Sequence, residues 1–241
     1  MKAGGGGRDV SDINAQTLAG VNLLSELPAS ETRKLEQNCR WKRYAAHEQI
    51  IDRQSETRDV FFVITGQVRV VNYSMSGREI TLDDIAAGGY FGELAAIDNQ
   101  PRSASVMALT DSLVAALAAD LFLAVCAGHP AIARKLMGRL ASIIRTATDR
   151  IMDLSTLAAN NRVHADLLRQ ARNNMRGKNE AMISPIPLHG DMASRVSTTR
   201  ETVARVMNDL ARQGVVKRTK DSLIINDLEK LKHLVEDVRG V

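Results

Sequence analysis

Between Trp41 and Leu117 the chain is cut into short runs of β-branched, aromatic and aliphatic residues: 49–51, 60–64, 67–71, 79–82, 104–108 and 112–117. Turn signals close them at Thr65-Gly66, Ser76-Gly77, Ala87-Gly88-Gly89 and Thr110-Asp111. Runs this short are strand-sized, and glycine supplies the positive φ of tight turns, so this segment predicts an antiparallel barrel or sandwich. Before it, Leu18, Val21, Leu24 and Leu27, then Leu35 after Ser30-Glu31-Thr32, predict short helices packed on the strands.

Pro130 opens the opposite texture, a helical pattern reaching about Asn160. Met137, Leu140, Ile144, Ala147, Ile151, Leu154 and Ala158 alternate three and four apart, a seam suited to a coiled-coil homodimer. Ile132, Leu136 and Ile143 form a second stripe, expected to pack on the chain's own strands. The alternative is one monomeric core that takes both stripes. Asn160-Asn161 reads as a joint, a helix stop followed by the next N-cap.

Beyond the joint the pattern predicts a helix over 162–174, an extended segment at Ile183 to Leu188, and two short helices over 190–195 and 199–213. A hairpin of 215–218 with 223–225 and a terminal helix carrying Leu228, Leu231, Leu234 and Val235 follow. The domain layout is therefore a leader over 1–17, a β-rich domain over 18–129, a dimerisation helix over 130–160 and a C-terminal domain over 161–241.

Charge is unevenly placed on this α+β chain. The net charge of the 241 residues is +4, and residues 161–241 hold 15 Lys+Arg against 10 Asp+Glu, so the basic excess sits wholly in the C-terminal third. That confinement points to a polyanion as the partner of this segment. No apolar run approaches the ~18 residues of a membrane span. Two separated cysteines, Cys39 and Cys126, read as reduced thiols in a cytoplasmic protein, and five dispersed histidines have no metal spacing. No nucleophile, base and orienting group form a set, so no enzymatic activity is expected.

The stretch Gly92-Glu93-Leu94 followed by Arg102-Ser103-Ala104 carries phosphate chemistry. Gly92 lets backbone approach a ligand, successive NH groups can form an anion nest, Arg102 offers a bidentate donor and Ser103 a hydroxyl. Glu93 suits an anion site only if it accepts from sugar hydroxyls. Taken together these residues describe a phosphate beside a ribose; the alternative is an exposed Glu93/Arg102 ion pair on an ordinary turn.

This cassette, set among glycine-punctuated strands that lead into a long helix, resembles the phosphate-binding cassette of the cyclic-AMP receptor protein and fumarate-nitrate regulator family. The resemblance runs from about Leu24 to Ile225. It implies a cyclic-nucleotide-binding β-roll, a dimerising helix and a C-terminal winged helix-turn-helix, with RNA polymerase as a further partner. It assigns ribose and cyclic phosphate to Gly92, Glu93, Leu94, Arg102 and Ser103, and places Ile80 and Leu82 beside the purine. Where family members that bind cyclic AMP carry an arginine and a Thr-Ser pair, this chain has Ile143, Ala147 and Thr148. Thr148 alone can hydrogen-bond a base, and Arg139 lies one turn before Ile143. Cyclic AMP is the expected effector, with cyclic GMP as its rival.

Thr198 to Arg205 places Arg200, Glu201 and Arg205 at the start of the second helix of a helix-turn-helix, where arginine meets guanine O6/N7 and a carboxylate meets cytosine N4. Val203, Val206, Met207 and Leu210 supply its packed face. The block also resembles the family's Arg-Glu-x-x-x-Arg reading motif; alone it would equally suit a solvated charged face. Thr199, His189 and Lys217 are candidate phosphate contacts, and Ser197 stands at a turn position that glycine often takes. The expected function is a homodimeric, cyclic-nucleotide-responsive regulator that binds double-stranded DNA. The alternatives are a regulator of the same fold with another effector or none, and a nucleotide-binding protein that acts on a protein partner.

Overall fold

The computed structural model describes residues 16–172 and 174–239; most of the expected leader, 1–15, lies outside the described residues. Two compact units emerge: Met1–Asn72 with Thr81–Ala141, and Tyr73–Ile80 with Ser142–Val241.

In the first unit a 3-10 turn (Asn22–Leu24) and α1 (Ala29–Asn38) precede eight strands. These are β1 (Arg40–Tyr44), β2 (Gln49–Ile51), β3 (Val60–Thr65), β4 (Gln67–Tyr73), β5 (Glu79–Ala86), β6 (Tyr90–Phe91), β7 (Ser105–Ala108) and β8 (Ser112–Leu117). They form two four-stranded sheets, in the orders β1-β8-β3-β6 and β2-β7-β4-β5, in which β1 and β8, β8 and β3, β3 and β6, β2 and β7, and β7 and β4 pair antiparallel. The expected strands are all present. Strand β1, Arg-Trp-Lys-Arg-Tyr, is an exposed edge strand and carries too few apolar residues to announce itself.

Period-two alternation explains how the first sheet is covered on both faces. Val60 and Phe62 of β3, with Ala115 and Leu117 of β8, join a core built with Leu18, Leu23, Phe122, Ile132 and Leu136. Phe61 and Val63, with Val114 and Ala116 and with Phe91 of the neighbouring β6, join a second core with Val68, Ile85 and Val106 of the facing sheet. Residues 60–63 are therefore buried without a break. Gly66 makes the β3–β4 turn at φ +83°, where a Cβ would stand 2.3 Å from the Ser112 hydroxyl oxygen.

Three helices complete this part of the chain: α2 (Glu93–Asp98), α3 (Ala119–Gly128) and the start of α4 (Pro130–Thr156). Helix α3 has no sequence signal because Ala-Asp-Leu-Phe-Leu-Ala-Val-Cys-Ala-Gly is apolar nearly all round. Ile132 and Leu136 pack into the roll as expected, and half-buried Leu140 of the proposed seam packs there too. Ile143 falls in the other unit and outside both of these cores.

In the second unit α4 ends at Thr156 and α5 (Ala159–Arg172) follows. The break is at Leu157-Ala158, not at Asn160-Asn161. Leu157, in the break, is 4% exposed and belongs to the core of this unit, and both asparagines lie inside α5. Strand β9 (Ala181–Ile183) adds to a hairpin of β10 (Val216–Arg218) and β11 (Leu223–Ile225), in the order β10-β11-β9. Helices α6 (His189–Arg195), α7 (Arg200–Arg212) and α8 (Leu228–Arg239) close the domain around Val163, Leu167, Met192, Val203, Leu210 and Leu231.

Candidate nucleotide and nucleic-acid sites

Gly92 sits at φ +84° immediately before α2, a left-handed conformation that lets the chain turn sharply out of β6. A Cβ there would stand 2.7 Å from Arg102 Nη1 and 3.0 Å from the Asp59 carbonyl oxygen. The space is needed because Arg102, 4% exposed, lies against this turn. Its Nη1 donates to the Gly92 carbonyl at 2.8 Å and its Nη2 to the Asp59 carbonyl at 2.8 Å. Its Nε and Nη2 both approach the Thr57 hydroxyl at 3.3 Å, and its guanidinium carbon stands 5.5 Å from the Phe61 ring centre. Arg102 thus ties the cassette to the start of β3 as well as offering charge to a phosphate. Thr57 and Asp59 carry no sequence signal, since they meet Arg102 only through the fold.

Glu93 is 7% exposed. Burial pushes its carboxyl above the ordinary range, against its own backbone hydrogen bond and the positive charge of Arg139, while Asp83 adds to the rise. A buried carboxylate of this kind gains from hydroxyl donors. Ser103 is exposed and its carbonyl accepts from Asn72 Nδ2 at 3.4 Å, while Leu94 is 38% exposed. Arg139, one turn before Ile143, donates to Asp83 Oδ2 of β5. Leu82 is 37% exposed and Ile80 half-buried, and neither belongs to the two cores of the roll. The Thr148 hydroxyl, expected to face a base, donates to the Ile144 carbonyl of its own helix at 3.0 Å.

On α4 the seam residues Met137, Ile144, Ile151 and Leu154 are 60%, 66%, 63% and 50% exposed and Ala147 is exposed beside them, whereas Ala158, also exposed, lies beyond the end of the helix. Three of these large side chains recur every seven residues.

In the second unit α6 and α7 form the expected helix-turn-helix. Thr199 caps α7, its hydroxyl accepting from the Thr202 amide at 3.3 Å, and Val203, Val206 and Leu210 bury the inner face. Arg200, Glu201 and Arg205 stand on the exposed side. A Cβ at Gly190 of α6 would come within 3.0 Å of Arg200 Nε, so the absent side chain leaves a shelf for that guanidinium. Arg205 Nη2 reaches Asn160 Oδ1 at 3.5 Å, and Glu201 is held below the usual carboxylate range by its own backbone amide and the Thr199 hydroxyl. His189 is half-buried and Lys217 exposed; burial, and then Arg218, lower the His189 imidazole below its ordinary value. Ser197 takes φ +52°, the turn geometry that favours glycine. Arg162 of α5 braces this turn by donating to the carbonyls of Val196 at 2.8 Å and Ser197 at 3.0 Å.

The chain matches the model of the cyclic nucleotide-binding domain over residues 41–129 and that of the Crp-like helix-turn-helix domain over 161–234. It is 31% identical to the cyclic AMP receptor protein of Thermus thermophilus over 175 residues, 73% of this chain and 78% of that one. The chain belongs to the cyclic AMP receptor protein and fumarate-nitrate regulator family. The family consists of transcription regulators, not enzymes. The cAMP-activated global transcriptional regulator Vfr of Pseudomonas aeruginosa is 27% identical, with 80% of this chain and 92% of that one covered. A CooA mutant from Carboxydothermus hydrogenoformans shares the fold at a TM-score of 0.78 and 24% identity, over 89% of this chain and 96% of its own. Among the described residues no helix is long and apolar enough to cross a membrane and no side-chain group is arranged to hold a metal ion.

Proposed function

We propose that this family regulator works as a homodimer that binds a cyclic purine nucleotide in its roll, cyclic AMP before cyclic GMP, and then a two-fold symmetric DNA site. The observation that carries the dimer is the row Met137, Ile144 and Ile151, spaced by seven and more than half exposed, which a second copy of α4 would bury. Gly92, Glu93, Arg102 and Ser103 support the nucleotide reading, as do relatives named for cyclic AMP. Arg200, Glu201 and Arg205 would read bases, with Thr199, His189 and Lys217 on phosphates. The domain limits are taken as 18–129, 130–160 and 161–241, with RNA polymerase as the later partner and the cytoplasm as the site of action. Calorimetric titration with each nucleotide, alongside light scattering, tests this reading. It requires one nucleotide per chain in a particle of two chains, and a monomer that binds neither nucleotide contradicts it.

A second reading, a regulator without a small effector, draws on the internal pairing of Arg102 and Arg139. Unchanged DNA binding on addition of either nucleotide would favour it.

A further inference from the structure

Four ionisable side chains converge on the nucleotide-binding part of the first unit: Asp83 of β5, Glu93 at the start of α2, Arg102 after it and Arg139 of α4. Their commitments differ. Arg102 is buried and bonded to Gly92, Asp59 and Thr57. Arg139 and Asp83 are bonded to each other, yet their side chains remain 39% and 41% exposed. Asp84, the next residue, is held by Arg69, whose Nε and Nη2 donate at 2.6 and 2.8 Å. Successive strand residues face opposite ways, so Asp83 is left to a different partner from Asp84.

An ion pair this open to water is weakly held, and a guanidinium prefers a phosphate that can take two of its hydrogen bonds. A cyclic nucleotide brings one anionic phosphate to this cluster. We propose that Asp83 is a built-in competitor of the nucleotide for Arg139, and that exchange of Arg139 from Asp83 to the ligand sets the affinity of the site. The proposal rests on the nucleotide reading given above. It gives α4 a charged group that senses occupancy although Ile143 cannot. Asp83 would act in two ways: it holds Arg139 while the site is empty, and it stands as a like charge near Glu93.

The test is a double-mutant cycle on the full chain, with cyclic AMP and cyclic GMP titrated separately by calorimetry into wild type, Asp83→Asn, Arg139→Gln and the double variant. Both positions are about 40% exposed, and thermal unfolding checks that each variant is folded; Asp83→Ser serves as a second removal of the carboxylate. The expected result is a Kd about 3- to 10-fold lower in Asp83→Asn, a comparable rise in Arg139→Gln, and a double variant that matches Arg139→Gln. Weaker or unchanged binding in Asp83→Asn overturns the proposal. So does an equal gain in the Arg139→Gln background, because Asp83 would then act without Arg139. Failure of wild type to bind either nucleotide would instead remove the nucleotide reading itself, and the proposal with it.

Discussion

Asp153 of α4 and Arg169 of α5 are joined across the Leu157-Ala158 break, Arg169 Nη2 to Asp153 Oδ2 at 2.7 Å, with Asp153 only 5% exposed. Arg169 also stands 3.6 Å from Asp166, which is 2% exposed and meets Arg195 of α6 at 3.2 Å. Arg162 adds a bond to the Leu157 carbonyl at 2.9 Å, in the gap between the helices. A joint that reads as loose in sequence is therefore braced by buried charge, and the end of α4 and the helix-turn-helix are tied to one another. Arg169→Ala takes one charged donor from each of two buried carboxylates, of which Asp166 keeps Arg195, at a cost of about 1.5–3 kcal/mol. Thermal unfolding together with DNA affinity checks this, and an unchanged melting temperature would contradict it.

Ser197 pays a local conformational penalty at φ +52° that glycine does not. Ser197→Gly is expected to stabilise the domain by about 0.5–1 kcal/mol, a rise of a few degrees in melting temperature. A fall would mean that the Ser197 side chain contributes more than its backbone loses.

Arg102→Ala should weaken the fold as well as nucleotide binding, because Gly92, Asp59 and Thr57 all lose a buried donor. The expected cost is about 2–4 kcal/mol in denaturant unfolding. Full stability with lost binding would assign Arg102 to the ligand alone.

His164 and His189 are both lowered from the ordinary histidine value of 6.5, first by burial; Asp209 opposes this at His164 and Arg218 adds to it at His189. Nδ1 of His164 is buried and has no partner among the described residues. A depressed imidazole stabilises the fold while it is neutral. The contribution is fully present above pH 6.5 and is lost as pH falls below it toward the folded values. Stability should therefore decline from pH 7 to 5, less steeply in His164→Gln, and identical slopes would contradict the assignment.

Much of this was legible from residue order. Short β-branched and aromatic runs with glycine turns placed the strands between Gln49 and Leu117, the heptad row set Met137, Ile144 and Ile151 on one seam, and cap and core spacing placed α7. What the sequence could not show were pairings between distant segments. Thr57 and Asp59 meet Arg102 after more than forty residues of intervening chain, and Asp83 takes Arg139 although Glu93 is the acid of the motif. Asn160-Asn161 has the composition of a helix stop, yet both residues lie inside α5, and the break falls two residues earlier at Leu157-Ala158, where Leu157 is buried in the core.

One titration tests whether nucleotide binding and DNA binding are coupled in this regulator. The full-length protein is added to a two-fold symmetric DNA site selected from random sequence, with and without saturating cyclic AMP or cyclic GMP, and binding is followed by fluorescence anisotropy. Two chains per site are expected, with DNA affinity at least about 10-fold higher in the presence of one of the nucleotides. Equal affinity in the presence and absence of both nucleotides would contradict it.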